Sequence, residues 1–279
     1  MTQEILKLSV RQGKVGLVGP LTLALYRHSP HVARELGAYG LYLLRRRHLP
    51  PRKFLVFAQG RSGSTLLVDL LNSHPDVFSY GELLQEDVVT NVRRPRLFVE
   101  GLLTLSRRPT SGFKVKVSQL SGAQRRDPGE VLADFERHGW KLIHLKRSNI
   151  LKHAISSVRA EKTGQFHNIG GSGKPGSAAV RIEVEELLEN LRARQRQAAA
   201  ESRALAALPH LTVEYESDLT GTENQKVALR RVFEYIGVEP REATTVFRKV
   251  TAERLEDSVS NFAELEVALR GSEYEGYLS

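Results

Sequence analysis

The hydrophobic pattern of the chain consists of short apolar runs separated by polar and glycine-rich segments. Residues 54–58 form a continuous apolar run, which is typical of a fully buried parallel strand. A second apolar stretch, residues 66–71, predicts a helix soon after it. Gly60 and Gly63 lie between the two, so this part of the chain predicts a strand, a tight turn and a helix in succession.

Further predicted strands and helices alternate along the rest of the chain. The predicted strands are 77–80, 113–117, 141–146 and 211–215. The predicted helices cover about 128–138, a segment ending near Ala160, 179–207, a segment ending at Ile236 before Gly237, and one from Asn261 with Glu264 in capping-box position. Residues 84–110 are predicted to be polar loops. This alternation predicts an α/β fold, a doubly wound and mostly parallel sheet.

The first 52 residues are predicted to form a basic helical N-terminal extension, and residues 53–279 the main domain. The extension has apolar stretches at 15–26 and 32–44, followed by Arg45, Arg46 and Arg47. Residues 1–53 contain ten basic and two acidic residues, and the whole chain has a net charge of +9. The main domain is therefore close to neutral, and the overall charge does not indicate what ligand it binds.

Two interpretations of the extension are open. An apolar helix that ends in arginines can lie on an anionic membrane face, or it can pack on the main domain with its basic end in solvent. No apolar run reaches the roughly 18 residues of a membrane span, and the start of the chain does not fit a secretory signal. We expect a cytoplasmic protein, free or peripheral on the inner membrane face, and no nucleic-acid partner. The long helical stretch leaves an oligomer open.

The sequence shows no pattern typical of a disulfide or of a metal site. The chain has no cysteine, which excludes disulfides and zinc sites made of thiolates. Its nine histidines show no pairing typical of metal ligands, so we expect no metal site.

The turn around Gly60 has the features of an anion site. The first N–H groups of a helix and its dipole both favour negative charge, and hydroxyls follow the turn at Ser62, Ser64 and Thr65. Ser64 or Thr65 is also predicted to cap the helix. The turn lacks the Gly-Lys pair of a nucleoside-triphosphatase loop, which disfavours a kinase-type phosphotransferase. A tight turn that binds nothing is the alternative.

A second anion site is predicted at the same edge of the sheet. Ligands of doubly wound sheets bind at the carboxyl ends of the strands, where the Gly60 turn, Glu82 and Arg147 are all predicted to lie. Arg147 ends the fourth strand, and Ser156 follows nine residues later in the next helix. Arginine binds phosphate through a bidentate fork. Two separate anion sites predict a nucleotide with two anionic ends.

These motifs resemble those of sulfotransferases that use 3′-phosphoadenosine 5′-phosphosulfate. The 5′-phosphosulfate loop of that family is similar to Arg61-Ser62-Gly63-Ser64-Thr65-Leu66. Its 3′-phosphate motif is similar to residues 145–151 with Ser156, or its neighbour Ser157. Residues 215–219 resemble the family's Tyr-Glu-Asp-Leu segment with Ser217 added, and residues 260–274 resemble its bacterial carbohydrate branch. The resemblance covers roughly residues 53–275.

The resemblance implies a P-loop-like fold, no metal, and transfer of a sulfuryl group to a hydroxyl of a carbohydrate or glycolipid. It implies that Arg61 to Leu66, Arg147 and Ser156 bind the nucleotide, and that Arg61 stabilises charge on the departing phosphate. Glu82 is the predicted base, with His74 as the second candidate. Lys114 is predicted either to contact the sulfuryl group or acceptor, or to extend from the rim into solvent.

Three questions stay open at this point. The acceptor can be another kind of hydroxyl, and the chain can be a nucleotide-binding protein without catalysis. Residues 163–177 contain five glycines and are predicted to be either a lid over the substrate or an ordinary surface loop. Glu82 can also be a surface residue that caps the next helix.

Overall fold

A computed structural model describes residues 30–164, 179–243, 245 and 255–278. Five strands form the sheet: β1 (Arg52–Ala58), β2 (Val77–Glu82), β3 (Thr110–Val115), β4 (Trp140–Lys146) and β5 (His210–Glu214). The helices are α1 (His31–Arg45), α2 (Ser64–Asn72), α3 (Pro95–Leu103), α4 (Pro128–Arg137), α5 (Ile150–Thr163), α6 (Val184–Leu205), α7 (Tyr215–Asp218), α8 (Thr222–Tyr235) and α9 (Phe262–Leu269). Two 3₁₀ turns (Arg46–His48 and Glu275–Tyr277) and a π-helix (Gln119–Ala123) complete the described elements.

The sheet has the order β2-β3-β1-β4-β5, and all of its strands are parallel. The apolar strand β1 lies at the centre, where both of its edges are paired. A strand in that position is covered on both faces, which explains its continuous apolar run. The predicted fold class is confirmed: this is an α/β fold with a parallel sheet between two layers of helices.

Alternate residues of β1 point into the two layers, as the period of a strand requires. Leu55 and Phe57 pack in one core with α3 and α4, which contribute Phe98 and Phe135. Phe54 and Val56 pack in the other, with residues of α2 and α8. A third cluster joins α5, α6 and α9 beyond the edge of β4. The central strand is therefore fixed from both sides, and the loop that follows it starts from a rigid position.

Most predicted elements are present with shifted ends, but two predictions are wrong. The segment predicted as polar loops contains α3, whose Phe98, Val99 and Leu103 are buried. The predicted capping box of the last helix is absent, because no side chain caps it and the Asn261 amide instead pairs with the backbone of Ile182. Both errors come from contacts between segments distant in sequence.

The described part of the N-terminal extension packs on the main domain. Helix α1 lies against α3, where Ala38 O would be 1.9 Å from a Cβ added to Gly101. The Arg34 guanidinium donates to the carbonyl of Asp87 at 2.9 Å. The apolar stretch 15–26 and nearly all of the glycine-rich segment 163–177 lie outside the described residues. In the part of the chain that the structure describes, no helix is long and apolar enough to cross a membrane.

Candidate anion-binding and catalytic site

The order of the strands creates a crevice at the carboxyl edge of the sheet. After β1 the chain crosses towards β2, and after β4 it crosses in the opposite direction towards β5, although β1 and β4 are neighbours. The loops after these two strands therefore diverge, and ligands of doubly wound sheets bind where such loops diverge. The two predicted anion motifs are these two loops.

The loop after β1 turns sharply through two residues with positive φ. Arg61 has φ 68° and Gly63 has φ 92°. The buried Ser62 hydroxyl donates to the Gln59 carbonyl at 2.7 Å, which closes the turn. Helix α2 begins at Ser64, and no side chain caps its amino end. The predicted capping by Ser64 or Thr65 is therefore wrong, and the end of the helix faces the crevice without a competing side-chain acceptor.

Residues of α7 cover this loop and hold the second motif beside it. The Tyr215 ring packs so closely on Gly63 that an added Cβ would lie 2.4 Å from its Cδ2 atom. The Arg147 guanidinium lies over the same ring, 4.8 Å from its centroid, and its Nε donates to Glu216 Oε1 at 3.3 Å. Glu216 also accepts from the backbone N–H of Ser148 at 2.9 Å. The segment resembling the Tyr-Glu-Asp-Leu motif thus holds the two anion motifs together.

Two arginines donate to the backbone of the turn, which itself contains a third, Arg61. Arg147 Nη1 donates to the Arg61 carbonyl at 3.1 Å, and Arg194 Nη1 donates to the Gly60 carbonyl at 3.1 Å. The Arg61 guanidinium donates to the Ser156 hydroxyl at 3.3 Å. Arg194 Nη2 donates to Ser157 at 2.5 Å. The structure therefore places Ser156 beside Arg61, and Ser157 beside Arg194.

The positive charges of these arginines repel one another. Burial, together with the charges of Arg147 and Arg194, lowers the pKa of Arg61 to about 10. Burial also lowers the pKa of Arg147 and of Arg194. Buried like charges are costly unless an opposite charge lies among them. Glu216 supplies one such charge to Arg147, and an anion in the crevice would supply another.

His153 supports the turn from below as a neutral side chain. Its Nε2 lies 2.7 Å from the Gly60 carbonyl, and because a carbonyl only accepts, Nε2 carries the proton. Burial lowers the pKa of His153 to about 3, with a further contribution from Arg194. At neutral pH this imidazole is a fixed donor to the loop.

Glu82 is the last residue of β2 and lies among cations. Its carboxylate is 3.2 Å from Lys114 Nζ and 2.9 Å from Lys116 Nζ. Gln119, the first residue of the π-helix, donates to it at 2.5 Å. Burial raises the pKa of Glu82, but the two lysines outweigh burial and hold it below its usual value. Glu82 is therefore ionised at neutral pH and does not cap a helix at the surface.

Lys114 joins this carboxylate to the anion loop. Its side chain is buried, and Nζ donates to the Thr65 hydroxyl at 3.2 Å. The alternative that Lys114 extends from the rim into solvent is wrong. Burial lowers the pKa of Lys114, and Glu82 opposes that shift. The predicted residues of the turn, Lys114 and Glu82 are therefore in one continuous set of contacts.

The second candidate base, His74, lies outside this set. It follows the carboxyl end of α2, at the opposite edge of the sheet, where its Nε2 is 3.1 Å from the Glu239 carbonyl and its Nδ1 accepts from the backbone N–H of Asp76. Both ring nitrogens are occupied by structural contacts. His74 is not positioned to act on a ligand in the crevice.

Sequence reasoning missed three residues of the site: Arg194, His153 and Gln119. Arg194 is one of several arginines of α6, and nothing in its neighbours distinguishes it. His153 lies in the first two turns of α5 and was not singled out, although it faces the same way as Ser156 at helical spacing.

In the described part of the chain, no group of three or more His, Asp or Glu side chains could hold a metal ion.

Comparison with known proteins gives a partial relationship. Nodulation protein H of Rhizobium meliloti is 32% identical to this chain over 126 residues, and that of Rhizobium meliloti strain 1021 is 31% identical over 126 residues. The match covers 42% of this chain and 51% of each relative. The chain thus spans about half the length of the curated relatives it matches. No family model matches the chain.

Proposed function

We propose that this chain is a sulfotransferase that uses 3′-phosphoadenosine 5′-phosphosulfate and acts on a hydroxyl of a carbohydrate or glycolipid. The acceptor oxygen forms a bond to sulfur, and the bond between sulfur and the phosphate oxygen breaks. The acceptor proton goes to Glu82, and 3′-phosphoadenosine 5′-phosphate leaves. The partial similarity to nodulation protein H of Rhizobium meliloti supports this proposal.

The observation that carries the proposal is the contact between the two anion motifs. Arg147 Nη1 lies on the Arg61 carbonyl although 86 residues separate them, and Ser156 lies on the Arg61 guanidinium. A ligand in this crevice meets one anion site at the amino end of α2 and a second one formed by Arg147. That arrangement suits a nucleotide with a phosphate on each side of its sugar, and it does not suit one with a single phosphate chain.

The chemistry that these residues can supply depends on whether the lysines pair with Glu82 or with the ligand. Lys114 and Lys116 pair with Glu82 and lower its pKa, which makes Glu82 a weak base. An anionic sulfuryl group beside Thr65 would attract Lys114, because Lys114 already donates to that hydroxyl. Its charge would then stabilise the sulfuryl oxygens, and Glu82 would become more basic when the donor is bound.

A groove beside the lysines suits the acceptor. It has a volume of about 220 Å³ and lies between the π-helix region and α6, lined by Val117, Ser118, Ser121, Ala193, Arg196, Gln197 and Ala200. Its polar groups can bond sugar hydroxyls, and its alanines leave room for a ring. Lys116, which pairs with Glu82, directly precedes the groove residue Val117, and for this reason we assign the acceptor to this groove.

The second candidate function is nucleotide binding without catalysis. The observation in its favour is that Glu82 is already satisfied by two lysines and Gln119. In this second function, the carboxylate stabilises the loop and accepts no proton. The two functions differ in turnover and agree in nucleotide binding.

Calorimetric titration tests the shared part of the proposal. The protein should bind 3′-phosphoadenosine 5′-phosphate at least about tenfold more tightly than adenosine 5′-phosphate. Arg147→Ala should reduce this preference, because it removes a buried charged donor and so lowers the free energy of binding by about 2–5 kcal/mol. Lys152→Ala, a change of a cation on the following helix, is the control. Equal affinity for the two nucleotides would refute the assignment of Arg147. Transfer of radiolabelled sulfate to a panel of oligosaccharides then separates the enzyme from the binding protein.

A further inference from the structure

Helix α1 exposes an apolar outer face to solvent and buries an arginine on its inner face, which also contains the buried Ala38. Its outer face carries Val32, Leu36, Leu43 and Leu44, whose exposed fractions are 66%, 63%, 70% and 87%. Its inner face buries Arg34, which is only 7% exposed. A buried arginine and a row of exposed leucines on one helix are both informative, because folding alone favours the opposite arrangement.

The orientation of α1 is fixed by contacts on its inner face. Arg34 donates to the carbonyls of Asp87 and Val88, at 2.9 and 2.5 Å. The Glu35 carboxylate accepts from the Arg93 backbone N–H at 2.7 Å, and the Tyr39 hydroxyl accepts from that of Arg94 at 2.8 Å. The helix therefore cannot roll to bury its leucines without breaking four hydrogen bonds.

Positive charge borders the apolar face at one end. Arg45 ends α1, and Arg46 and Arg47 form the 3₁₀ turn that follows, all three exposed. No ion pair to Arg46 or Arg47 is found within the described ranges. A partner of this face would therefore contact apolar side chains and a cluster of cations. The matching partner has negative charge at its surface and an apolar interior beneath it.

We infer that the outer face of α1 docks the protein on an anionic lipid surface. A helix that lies in the plane of the membrane places its apolar side chains about 5–10 Å into the boundary between headgroups and acyl chains, while arginines at its edge bind anionic headgroups. With 15 residues, α1 is about 22 Å long, enough to lie along the surface. The inner face stays on the protein, so the main domain is held at the membrane in one orientation.

A second copy of the chain fits this face less well. Four apolar side chains on one helix present a few hundred Å² at most, whereas a stable interface takes roughly 800 Å² from each partner. A lipid surface sets no such requirement, because each leucine inserts independently. The size of the face therefore favours a membrane over a dimer.

Vesicle flotation of the full chain tests this inference. We expect binding to vesicles that contain phosphatidylglycerol, weaker binding to pure phosphatidylcholine, and loss of the difference at high salt. The triple variant Leu36→Ser, Leu43→Ser, Leu44→Ser should lower the partition coefficient at least about tenfold, because it removes three large apolar groups. Arg46→Gln with Arg47→Gln should lower it by about fivefold for each arginine, on anionic vesicles only.

Two exposed valines elsewhere provide a matched control. Val227 on α8 and Val267 on α9 are 64% and 70% exposed, and their replacement by serine should leave flotation unchanged. Wild-type binding by the leucine variant would overturn the inference, as would absence of wild-type binding to anionic vesicles. Light scattering that shows a dimer in the wild type and a monomer in the leucine variant would assign the face to a second copy instead. Equal thermal midpoints show that each variant is folded.

Discussion

Gly63→Ala is the most direct test of how the anion loop is built. The substitution adds one methyl group at a residue with φ 92°, where the new Cβ would lie 2.4 Å from Cδ2 and 2.8 Å from Cε2 of Tyr215. The positive φ alone costs an L-residue about 1–2 kcal/mol. Forcing the ring away adds about 1–3 kcal/mol, because a methyl group must be inserted into a packed contact. We expect the free energy of unfolding to fall by about 2–5 kcal/mol.

Gly139→Ala separates the two contributions. Gly139 has φ 79°, and nothing lies within 4 Å of a Cβ added there, so its replacement carries only the backbone cost. The two free energies of unfolding, measured with urea under one set of conditions, should differ by about 1–3 kcal/mol, the contribution of the ring contact.

Tyr215→Ala supplies the second control, because it removes the ring that the methyl group meets. On that background, Gly63→Ala should cost no more than Gly139→Ala, so the two substitutions are expected to couple. If Gly63→Ala is no more destabilising than Gly139→Ala in the wild type, the packing of Tyr215 on the loop is not as described.

Three further predictions concern single side chains of the site. Glu82→Gln should reduce turnover by about 10²–10⁴-fold because the proton acceptor is lost, while 3′-phosphoadenosine 5′-phosphate should bind at least as tightly because a negative charge beside the anion loop is removed. Arg194→Ala should weaken that affinity about tenfold, measured by calorimetry, because the Gly60 carbonyl loses a charged donor. The pKa of His153 is lowered to about 3 from 6.5, so its contribution to stability is complete above about pH 6.5 and is lost as the pH falls. Urea titrations should show a loss of about 2 kcal/mol between about pH 7 and pH 5, which His153→Gln abolishes.

Neighbouring residues of the same type serve as controls for these variants. Glu86→Gln changes an exposed carboxylate four residues after Glu82, and Arg192→Ala changes an exposed arginine two residues before Arg194. Neither should alter turnover or affinity. A Glu82→Gln variant with wild-type turnover would show that Glu82 is not the base, and an Arg194→Ala variant with unchanged affinity would limit that residue to a structural role. An unchanged pH slope in His153→Gln would mean that another group causes it.

The sequence allowed the prediction of features that depend on local order. A continuous apolar strand, two glycines and an apolar helix predict their own arrangement, and the Gly60 turn lies where it was expected. Parallel strands also bring their carboxyl ends to one edge, so Glu82, Arg147 and the turn could be placed together before any distance was known.

Other features depend on contacts that no local pattern encodes. Arg194 reaches the Gly60 carbonyl from 134 residues away, and its place on α6 is typical of a solvated arginine. The capping of α2 was predicted wrongly because the helix begins at Ser64 and Gly63 occupies the cap position, while the Thr65 hydroxyl accepts from Lys114 instead. In each case the partner comes from another strand or helix. The tertiary structure therefore determines which polar groups form hydrogen bonds with each other.

The balance of charge at the carboxyl edge explains why binding and catalysis would depend on each other. Arg61, Arg147 and Arg194 share one turn, and the lysines at the next strand bring further positive charge, while Glu82 holds both of those lysines. Bringing an anion to the turn would relieve repulsion among the arginines and draw Lys114 from the carboxylate. In the proposed function, the same movement of charge would raise the basicity of Glu82 when the sulfuryl donor is bound, so the donor itself would complete the catalytic arrangement.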